Sequence, residues 1–357
     1  MDVDTRSSLY RRRRSSWRAM MSAAVLCLSP VIGSAQTEPA AGASARAGHA
    51  AASQALENAH AAVVGIQVVA VDSARSAETL GRERRGSGVL IDAEGLVLTI
   101  GYLILEANQV DLIVEGRKRI PARVIAYDLD TGFGLVKSLL PLNIQPAPLG
   151  TSSTAPDQEP LIIVSGGSEG GISLARMVSR RPFSGYWEYH IEGALFTAPA
   201  RGDHSGAGLF NARGELLGIG SLVVAEALGE GKGRSPGNMF VPVDLLKPIL
   251  AELRAQGSSS KSSRAWLGLN CVEHEGAVRV TRVTRDGPGA AAGLRPGDHI
   301  VRIDGSAVAG LESFYKNLWR SAPERDVSLE IRRGGVDQVL TVRSQDRMRT
   351  LSRPQGI

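Results

Sequence analysis

The sequence predicts a mainly β protein built as two globular domains. Glycine is abundant, with 41 residues among 357, whereas aromatic residues make up only 4%. Short apolar runs are repeatedly interrupted by glycine and proline, which is typical of strands joined by tight turns, and long amphipathic helices are scarce. With 43% hydrophobic and 22% charged residues, the chain can bury a large core in at least one domain.

Residues 1–35 have the pattern of a secretory signal. A basic region at Arg11 to Arg14 precedes an apolar run from Met20 to Ile32, and small residues follow at Gly33 to Ala35. The apolar run is too short to span a bilayer, so we expect cleavage, export to the periplasm and no stable membrane span afterwards. The alternatives are an uncleaved membrane anchor and, from Arg13-Arg14-Ser15-Ser16-Trp17, export by a twin-arginine route.

The composition of the remaining chain excludes several functions. The signal carries a net +4, from six arginines against two aspartates, which leaves +1 of the formal +5 and gives no indication of nucleic-acid binding. Cys27 leaves with the signal, so no intramolecular disulfide is expected, and Cys271 has the setting of a small core residue. His, Cys, Asp and Glu residues show no metal-ligand spacing, so neither a metal nor a cofactor is expected. Residues 36–58 are alanine-rich and are expected to form a flexible tail with a helical end.

Residues 59–256 are expected to form the first domain. Ala62 to Val71 reads as a strand and Ser73 to Arg84 as a charged loop. GSGVLIDAEGLVLTIGYLI, residues 86–104, reads as a hairpin turned at Ala93-Glu94-Gly95. This hairpin resembles the GSGVIID-x-G-IVTNAHVV segment of the HtrA/Deg family of trypsin-like serine proteases, which implies a double β-barrel. The resemblance places Tyr102 at the family's catalytic histidine.

The second resemblance lies after two further strands, at 109–115 and 119–127. YDLDTGFGLVK, residues 127–137, is similar to the family's D-x-x-TDLAVLK, whose second aspartate orients the histidine. The matching residue here is Gly132. Asp130 lies two residues earlier and would point elsewhere along the strand, so we do not expect it to substitute.

The third resemblance is TAPARGDHSGAGLFN, residues 197–211, which places a serine in a glycine-rich turn between two β-rich runs. It is similar to the family's nucleophile loop, GNSGGPL, with Ser205 at the nucleophile. In the family, the N–H groups of the serine and of the glycine two residues earlier form the oxyanion hole. Asp203 takes that glycine's place, where a carboxylate would oppose an oxyanion.

No other residue is expected to act as the base that a serine nucleophile needs. The reference pKa of tyrosine is about 10, so Tyr102 would rarely be a phenolate at neutral pH. His204 adjoins Ser205, but successive side chains in a turn seldom face each other, and His190 reads as a strand residue. The resemblance therefore implies a protease homologue that kept the fold and lost the chemistry.

The C-terminal third reads as a helix, a linker and a second domain. A helix is predicted from Asp244 to Gln256, followed by a Gly/Ser linker at 257–263. Residues 264–346 resemble a PDZ domain, most specifically at GPGAAAGLRPGDHIVRIDG, and residues 347–357 form a tail. The resemblance implies that a peptide adds as a strand to Leu269 to Glu273, against the helix in LESFYKNLWRSAP. Its terminal carboxylate would be held by backbone N–H groups near Trp266, Leu267, Gly268 and Leu269. A domain that only packs against the barrels and binds nothing is the alternative.

These resemblances imply an exported, catalytically inactive HtrA/Deg-like protein that binds unfolded or C-terminal peptide segments of envelope proteins. One alternative is an active serine endopeptidase with an unorthodox base or with assembly-dependent activation. Another is a signalling scaffold that recruits one partner through its PDZ domain. Family members often trimerise through an aromatic-bearing N-terminal segment, which residues 36–58 do not match. A trimer is therefore not implied, and a homo-oligomer of another kind stays open.

Overall fold

The computed structural model describes residues 53–352 apart from 116–117, 157–158, 169 and 230. The expected signal at 1–35, most of the 36–58 tail and the last five residues lie outside the described part. The structure is mainly β. The first predicted domain consists of two closed six-stranded barrels, and the C-terminal domain, termed the third domain below, is built on a separate sheet. The fold class predicted from the sequence is confirmed. Within the described residues, no helix has the length and apolar character needed to cross a bilayer.

The first barrel has the strand order β1-β2-β3-β6-β5-β4. Helix α1, residues 53–61, leads into it, and two single-turn helices, α2 (Ala77–Leu80) and α3 (Gly101–Ile104), interrupt it. The turn of the predicted hairpin is held by Asp92, whose Oδ1 accepts from the N–H groups of Glu94 and Leu96 at 2.9 Å each. The strands are β1 (Val63–Ala70), β2 (Glu83–Leu90), β3 (Leu96–Ile100), β4 (Ala107–Val114), β5 (Lys118–Tyr127) and β6 (Phe133–Ser138).

The second barrel has the order β10-β11-β12-β9-β8-β7. Its longest hairpin joins β8 to β9 through a three-residue turn, 186–188, which contacts the C-terminal domain. The strands are β7 (Pro160–Val164), β8 (Ile172–Gly185), β9 (Tyr189–Ala198), β10 (Gly208–Phe210), β11 (Leu216–Val224) and β12 (Gly237–Pro242).

The helix predicted from Asp244 is divided in two. A 3-10 turn covers Val243–Leu245, and the α-helix α4 covers only Leu250–Gln256. Pro248 lies between them, and because proline has no backbone N–H, a continuous helix cannot pass through it with its hydrogen bonds intact.

The predicted linker, 257–263, is docked onto the first barrel. Ser259 and Ser262 are buried, and their hydroxyls donate to Oδ1 of Asp128, the Ser262 bond at 2.6 Å. A flexible segment was expected from its Gly/Ser composition, but the serine hydroxyls are used as donors to a buried carboxylate instead.

The third domain has the sheet order β14-β15-β16-β18-β19, with β17 paired to β16 and a separate β13-β20 pair. Its own apolar core is closed by α6, through the buried Phe314, Tyr315 and Leu318. The first residues of the predicted tail form a 3-10 helix, Arg347–Thr350, and Ser352 N donates to Glu106 of the first barrel at 2.8 Å. The elements are β13 (Ala265–Trp266), β14 (Leu269–His274), β15 (Ala277–Val283), α5 (Pro288–Ala291), β16 (His299–Ile303), β17 (Ser306–Ala307), α6 (Leu311–Leu318), β18 (Asp326–Arg333), β19 (Val336–Arg343) and β20 (Gln345–Asp346).

Candidate functional site

Ser205 lies in a turn that bridges the two barrels. The carbonyl of Ser205 accepts from Ser87 N on β2 at 2.8 Å, and Gly206 N donates to Gly220 O on β11 at 2.8 Å. The serine is partly exposed. Backbone bonds to both barrels therefore hold the hydroxyl at the cleft between them, as a nucleophile would need.

Tyr102 takes the place beside Ser205 where a general base would be needed. Its Oη lies 2.7 Å from Ser205 Oγ and 2.9 Å from the carbonyl of Ser221. Burial raises the pKa of Tyr102 to about 12, and the hydrogen bond with Ser205 opposes this rise. At pH 7 roughly one molecule in 10⁵ would then carry a phenolate. Since a neutral phenol is a poor proton acceptor, Tyr102 donates its proton to Ser205 Oγ or to Ser221 O.

The position of Tyr102 is fixed by a buried arginine that the sequence placed in a charged loop. Arg84 is only 4% exposed, and its Nη1 donates to Tyr102 O at 3.0 Å and to Leu105 O at 2.7 Å. Its Nη2 donates to Ser76 Oγ at 2.7 Å, and Glu106 accepts from Ser76 N at 2.8 Å. The predicted charged loop, Ser73 to Arg84, is wrong at its end, because Arg84 lies in β2 and its guanidinium binds carbonyls within and directly after α3.

Gly132, at the position expected for the orienting aspartate, is closed to any side chain. Its φ is +77°, and a Cβ there would come within 2.7 Å of the hydroxyl of Tyr189. That hydroxyl donates to the carbonyl of Thr131 at 3.1 Å. The space of the missing carboxylate is therefore taken by Tyr189, a residue that the sequence did not single out.

The two aspartates near Gly132 are bound elsewhere. Asp128 is buried and accepts from Thr131 N at 2.9 Å and Thr131 Oγ1 at 2.6 Å, in addition to the linker serines. Asp130 forms an ion pair with Arg264 at the start of the third domain. These carboxylates stabilise the junction between the domains.

The carboxylate of Asp203 is neutralised, contrary to the expectation that it would oppose an oxyanion as a free charge. Arg201 Nε donates to Asp203 Oδ1 at 2.8 Å, and Asp203 Oδ2 is bound by Arg201 Nη2 and by Ser165. The hydrogen bond from Arg201 is the main cause that lowers the pKa of Asp203. Because Arg201 offsets its charge, the Asp203 carboxylate would oppose an oxyanion less than an unpaired carboxylate would.

The two neighbouring histidines have other partners. His204 Nδ1 lies 3.1 Å from Gly202 O and 3.2 Å from Arg201 O, within its own loop, and burial lowers the pKa of this imidazole. His190 Nδ1 lies 2.9 Å from Ser184 Oγ in the β8–β9 hairpin.

A metal is not needed to explain the polar clusters of the described residues. Their one group with metal-ligand spacing is His190, Glu192 and Glu312. The ammonium of Lys316 already binds both carboxylates, at 2.6 Å each. Cys271 is a free, buried thiol, and burial raises its pKa, which keeps it protonated.

The loop Leu267–Leu269, termed the carboxylate loop below, holds a carboxyl group. Leu267 N donates to Glu188 Oε2 at 3.1 Å, and Leu269 N donates to Glu188 Oε1 at 2.8 Å. Gly268 between them has a φ of +78°, a conformation that lets two flanking N–H groups converge. Trp266, which the sequence included in this set, pairs with Gln345 of β20 instead, and Arg347 lies over its ring.

Sequence models agree with this two-part architecture. The model described as "Trypsin-like peptidase domain" matches residues 86–219, and the model described as "PDZ domain" matches residues 265–343. Curated serine proteases align across both domains. The chain is similar to HtrA/DegP-type serine proteases in its domain composition and over about three quarters of its length.

The relatives are distant. A protein of Synechocystis sp. named as the serine protease HhoA is 26% identical over 74% of this chain and 72% of its own length. A "Probable periplasmic serine endoprotease DegP-like" of Pseudomonas fulva is 26% identical over 73% of this chain and 57% of its own. This chain therefore spans a little over half of the length of such DegP-like relatives.

Solved structures support the fold. "HtrA-type protease AlgW with decapeptide" matches with a TM-score of 0.51 and 22% identity, over 85% of this chain and 99% of that one. The serine endoprotease from Yersinia pestis gives a TM-score of 0.51 at 20% identity, over 83% and 97% of the two chains.

Three residues of these sites lack a signal in the sequence: Ser221, Tyr189 and Glu188. Ser221 contributes only a carbonyl, which any residue could supply. Tyr189 and Glu188 lie at the end of a hairpin turn, and their roles depend on contacts with residues 58 and 81 positions away. Local patterns cannot reveal such contacts.

Proposed function

We propose that this HtrA-type homologue is exported, has no proteolytic activity, and binds C-terminal or unfolded segments of envelope proteins through its PDZ domain. One observation carries the first part: the atom 2.7 Å from the nucleophile position is the hydroxyl oxygen of Tyr102, whose pKa is about 12. Among the described residues, the side chain in contact with Ser205 Oγ is therefore not a proton acceptor at neutral pH.

The expected size of this loss supports the proposal. Serine proteases that lack a triad member keep only about 10³–10⁴-fold acceleration over water, supplied by substrate binding and the oxyanion hole. Here two members are replaced together, and Tyr189 fills the space beside one of them, Gly132. Activity of the endopeptidase type would need a base from outside the described residues.

Peptide binding is supported by the carboxylate loop. The N–H groups of Leu267 and Leu269 converge on carboxylate oxygens at 2.8–3.1 Å, within the range of charge-assisted hydrogen bonds. The bound carboxylate is a side chain of the same molecule, but the chemistry matches that of a peptide C-terminus. This contact supports a role of the loop in binding peptide C-termini.

Envelope location rests on residues 1–35, with their basic and apolar regions, and on the periplasmic naming of relatives such as the Pseudomonas fulva protein. Because the chain spans only 57% of that relative, its partners are inferred from its own residues.

The test is hydrolysis of unfolded casein by the wild-type chain and by Ser205→Ala, over hours at pH 7.5. We expect both proteins to release fragments at the same background rate, because the hydroxyl has no base. Binding of casein, measured by co-sedimentation, should be unchanged by the substitution. Hydrolysis by the wild type that disappears in Ser205→Ala would mean that the homologue is an active endopeptidase.

A further inference from the structure

The peptide groove of the PDZ domain lies between β14 and α6 and ends at the carboxylate loop. In the structure this groove contains residues 185–188, which are the last residue of β8 and the turn that follows it. This segment is termed the plug below. Cys271 N, on β14, donates to the carbonyl of Tyr186 at 2.8 Å. A main-chain bond of this kind is what an added peptide strand makes with the edge of a sheet.

The carboxylate loop is occupied by the last residue of the plug. Glu188 Oε1 accepts from Leu269 N at 2.8 Å, and Oε2 accepts from Leu267 N at 3.1 Å. The spacing of these two contacts agrees with an antiparallel pair of strands. Cys271 follows Leu269 by two residues on β14, and Tyr186 precedes Glu188 by two residues in the plug. Main-chain and carboxylate contacts thus have the register of one continuous peptide ligand.

The opposite wall of the groove also binds the plug. Tyr315 on α6 is buried, and its hydroxyl donates to the carbonyl of Gly185 at 2.7 Å. The hydroxyl oxygen of Tyr315 also accepts a hydrogen bond from Glu188 N, at 3.3 Å. Trp187 stacks on Tyr189, with ring centroids 5.5 Å apart and planes 12° apart, so the plug is also anchored to its own barrel.

We propose that the plug is an internal ligand of the PDZ domain and that an external C-terminal peptide binds only after displacing Glu188 from the carboxylate loop. This rests on the proposed function, since it assumes that the groove takes peptide C-termini. The structure then shows the closed state of a switch: the same N–H groups cannot bind both carboxylates. The apparent affinity for an external peptide is reduced by the fraction of molecules in which the groove is open.

The experiment is calorimetric titration of the full chain with the hexapeptide Phe-Ser-Gly-Tyr-Trp-Val, as free acid and as amide. This probe copies residues 183–187 and replaces Glu188 by a C-terminal valine. The proteins are the wild type, Glu188→Ala, and Glu188→Gln, which keeps the shape of the side chain and removes its charge. Glu215→Ala serves as the control, since Glu215 binds Arg213 and Asn211 within its own turn.

We expect Glu188→Ala to bind the free acid at least tenfold more tightly than the wild type and the Glu215→Ala control, whereas Glu188→Gln, an isostere of the neutral carboxyl, keeps the plug docked and binds no more tightly than the wild type. In Glu188→Ala the amide should bind at least tenfold more weakly than the acid, because charge-assisted bonds to the loop are lost. Circular dichroism would verify that each variant is folded.

Two results would contradict the proposal in distinguishable ways. If the wild type and Glu188→Ala bind the acid equally and both prefer it to the amide, the plug is not a competitor, while the proposed peptide function stands. If Glu188→Ala does not distinguish acid from amide, the loop is not a receptor for C-termini, and both the plug proposal and the peptide-binding function fail.

Discussion

The cleft between the barrels and the groove of the PDZ domain differ in which of their functional groups are present. In the cleft, Ser205 contacts a protonated phenol, Tyr102, and a glycine lies at the position matched to the orienting aspartate. In the groove, the N–H groups of Leu267 and Leu269 are in place and hold a carboxylate. The first site has its nucleophile without the groups that activate it, whereas the second has its binding groups together with an occupant.

The difference follows from what each site requires. Catalysis by serine depends on side chains of particular chemistry at three separate places in the chain, so single substitutions remove it. Carboxylate binding here depends on backbone N–H groups and on one glycine with a positive φ, which most side-chain changes leave untouched. Substitutions that remove the groups needed for serine catalysis can therefore leave a carboxylate-binding loop intact.

The largest effect that would sharpen this comparison is expected at Gly132. Gly132→Ala places a Cβ within 2.7 Å of Tyr189 Oη, at a φ of +77°, and should lower the free energy of unfolding by about 3 kcal/mol. Gly193→Ala is the matched control, since Gly193 has a φ of +61° and open space around its Cβ position. We expect the control to cost about 1 kcal/mol, from backbone conformation alone.

Urea denaturation of the two variants gives the comparison. Gly132→Ala should lower the free energy of unfolding more than Gly193→Ala does. In a Tyr189→Phe background, where the obstructing hydroxyl is absent, this difference between the two variants should become smaller. Equal costs at Gly132 and Gly193 would mean that the space of the missing carboxylate is open. Restoring Tyr102→His and Gly132→Asp would then be enough to rebuild a triad, whereas our account requires a smaller residue at 189 as well.

A smaller effect is expected when the pH is changed, because docking of the plug in the groove depends on the protonation of Glu188. Burial raises the pKa of Glu188 to about 7, opposed by the N–H groups of the loop and by Arg347. The other titratable groups that face it are the Cys271 thiol and the Tyr315 hydroxyl, whose pKa values are also raised by burial. The docked pKa lies above the ordinary value of 4.5, so the docked state binds the proton more tightly than the undocked one. Docking is therefore strongest below pH 4.5 and weakens as the pH rises through 7.

Amide hydrogen exchange at Leu269 tests this direction. After correction for the intrinsic exchange rate, protection should fall about tenfold between pH 6 and pH 8. Glu188→Gln does not titrate and should show no such change. Protection that is independent of pH in the wild type would mean that Glu188 stays ionised in the loop.

Much of this comparison could be predicted from the sequence, because it depends on local motifs. The hairpin around residues 86–104, the Ser205 turn and the PDZ signature each fix a position in a known fold. The break at Pro248 and the docking of Ser259 and Ser262 were missed, since composition favoured a continuous helix and a flexible linker. Glu188 and Tyr189 could not have been found, because a hairpin turn has no sequence signal for the distant surface that it meets.

The most direct test of the central claim is the reaction of Ser205 with a fluorophosphonate probe, which modifies activated serine hydroxyls. The wild-type chain and Ser205→Ala are incubated with the probe at pH 7.5, and labelling is quantified by intact-protein mass spectrometry. Because Tyr102 remains protonated beside Ser205, we expect labelling of the wild type to stay at the level of Ser205→Ala. Stoichiometric labelling within minutes, absent from Ser205→Ala, would show an activated nucleophile and would contradict the account.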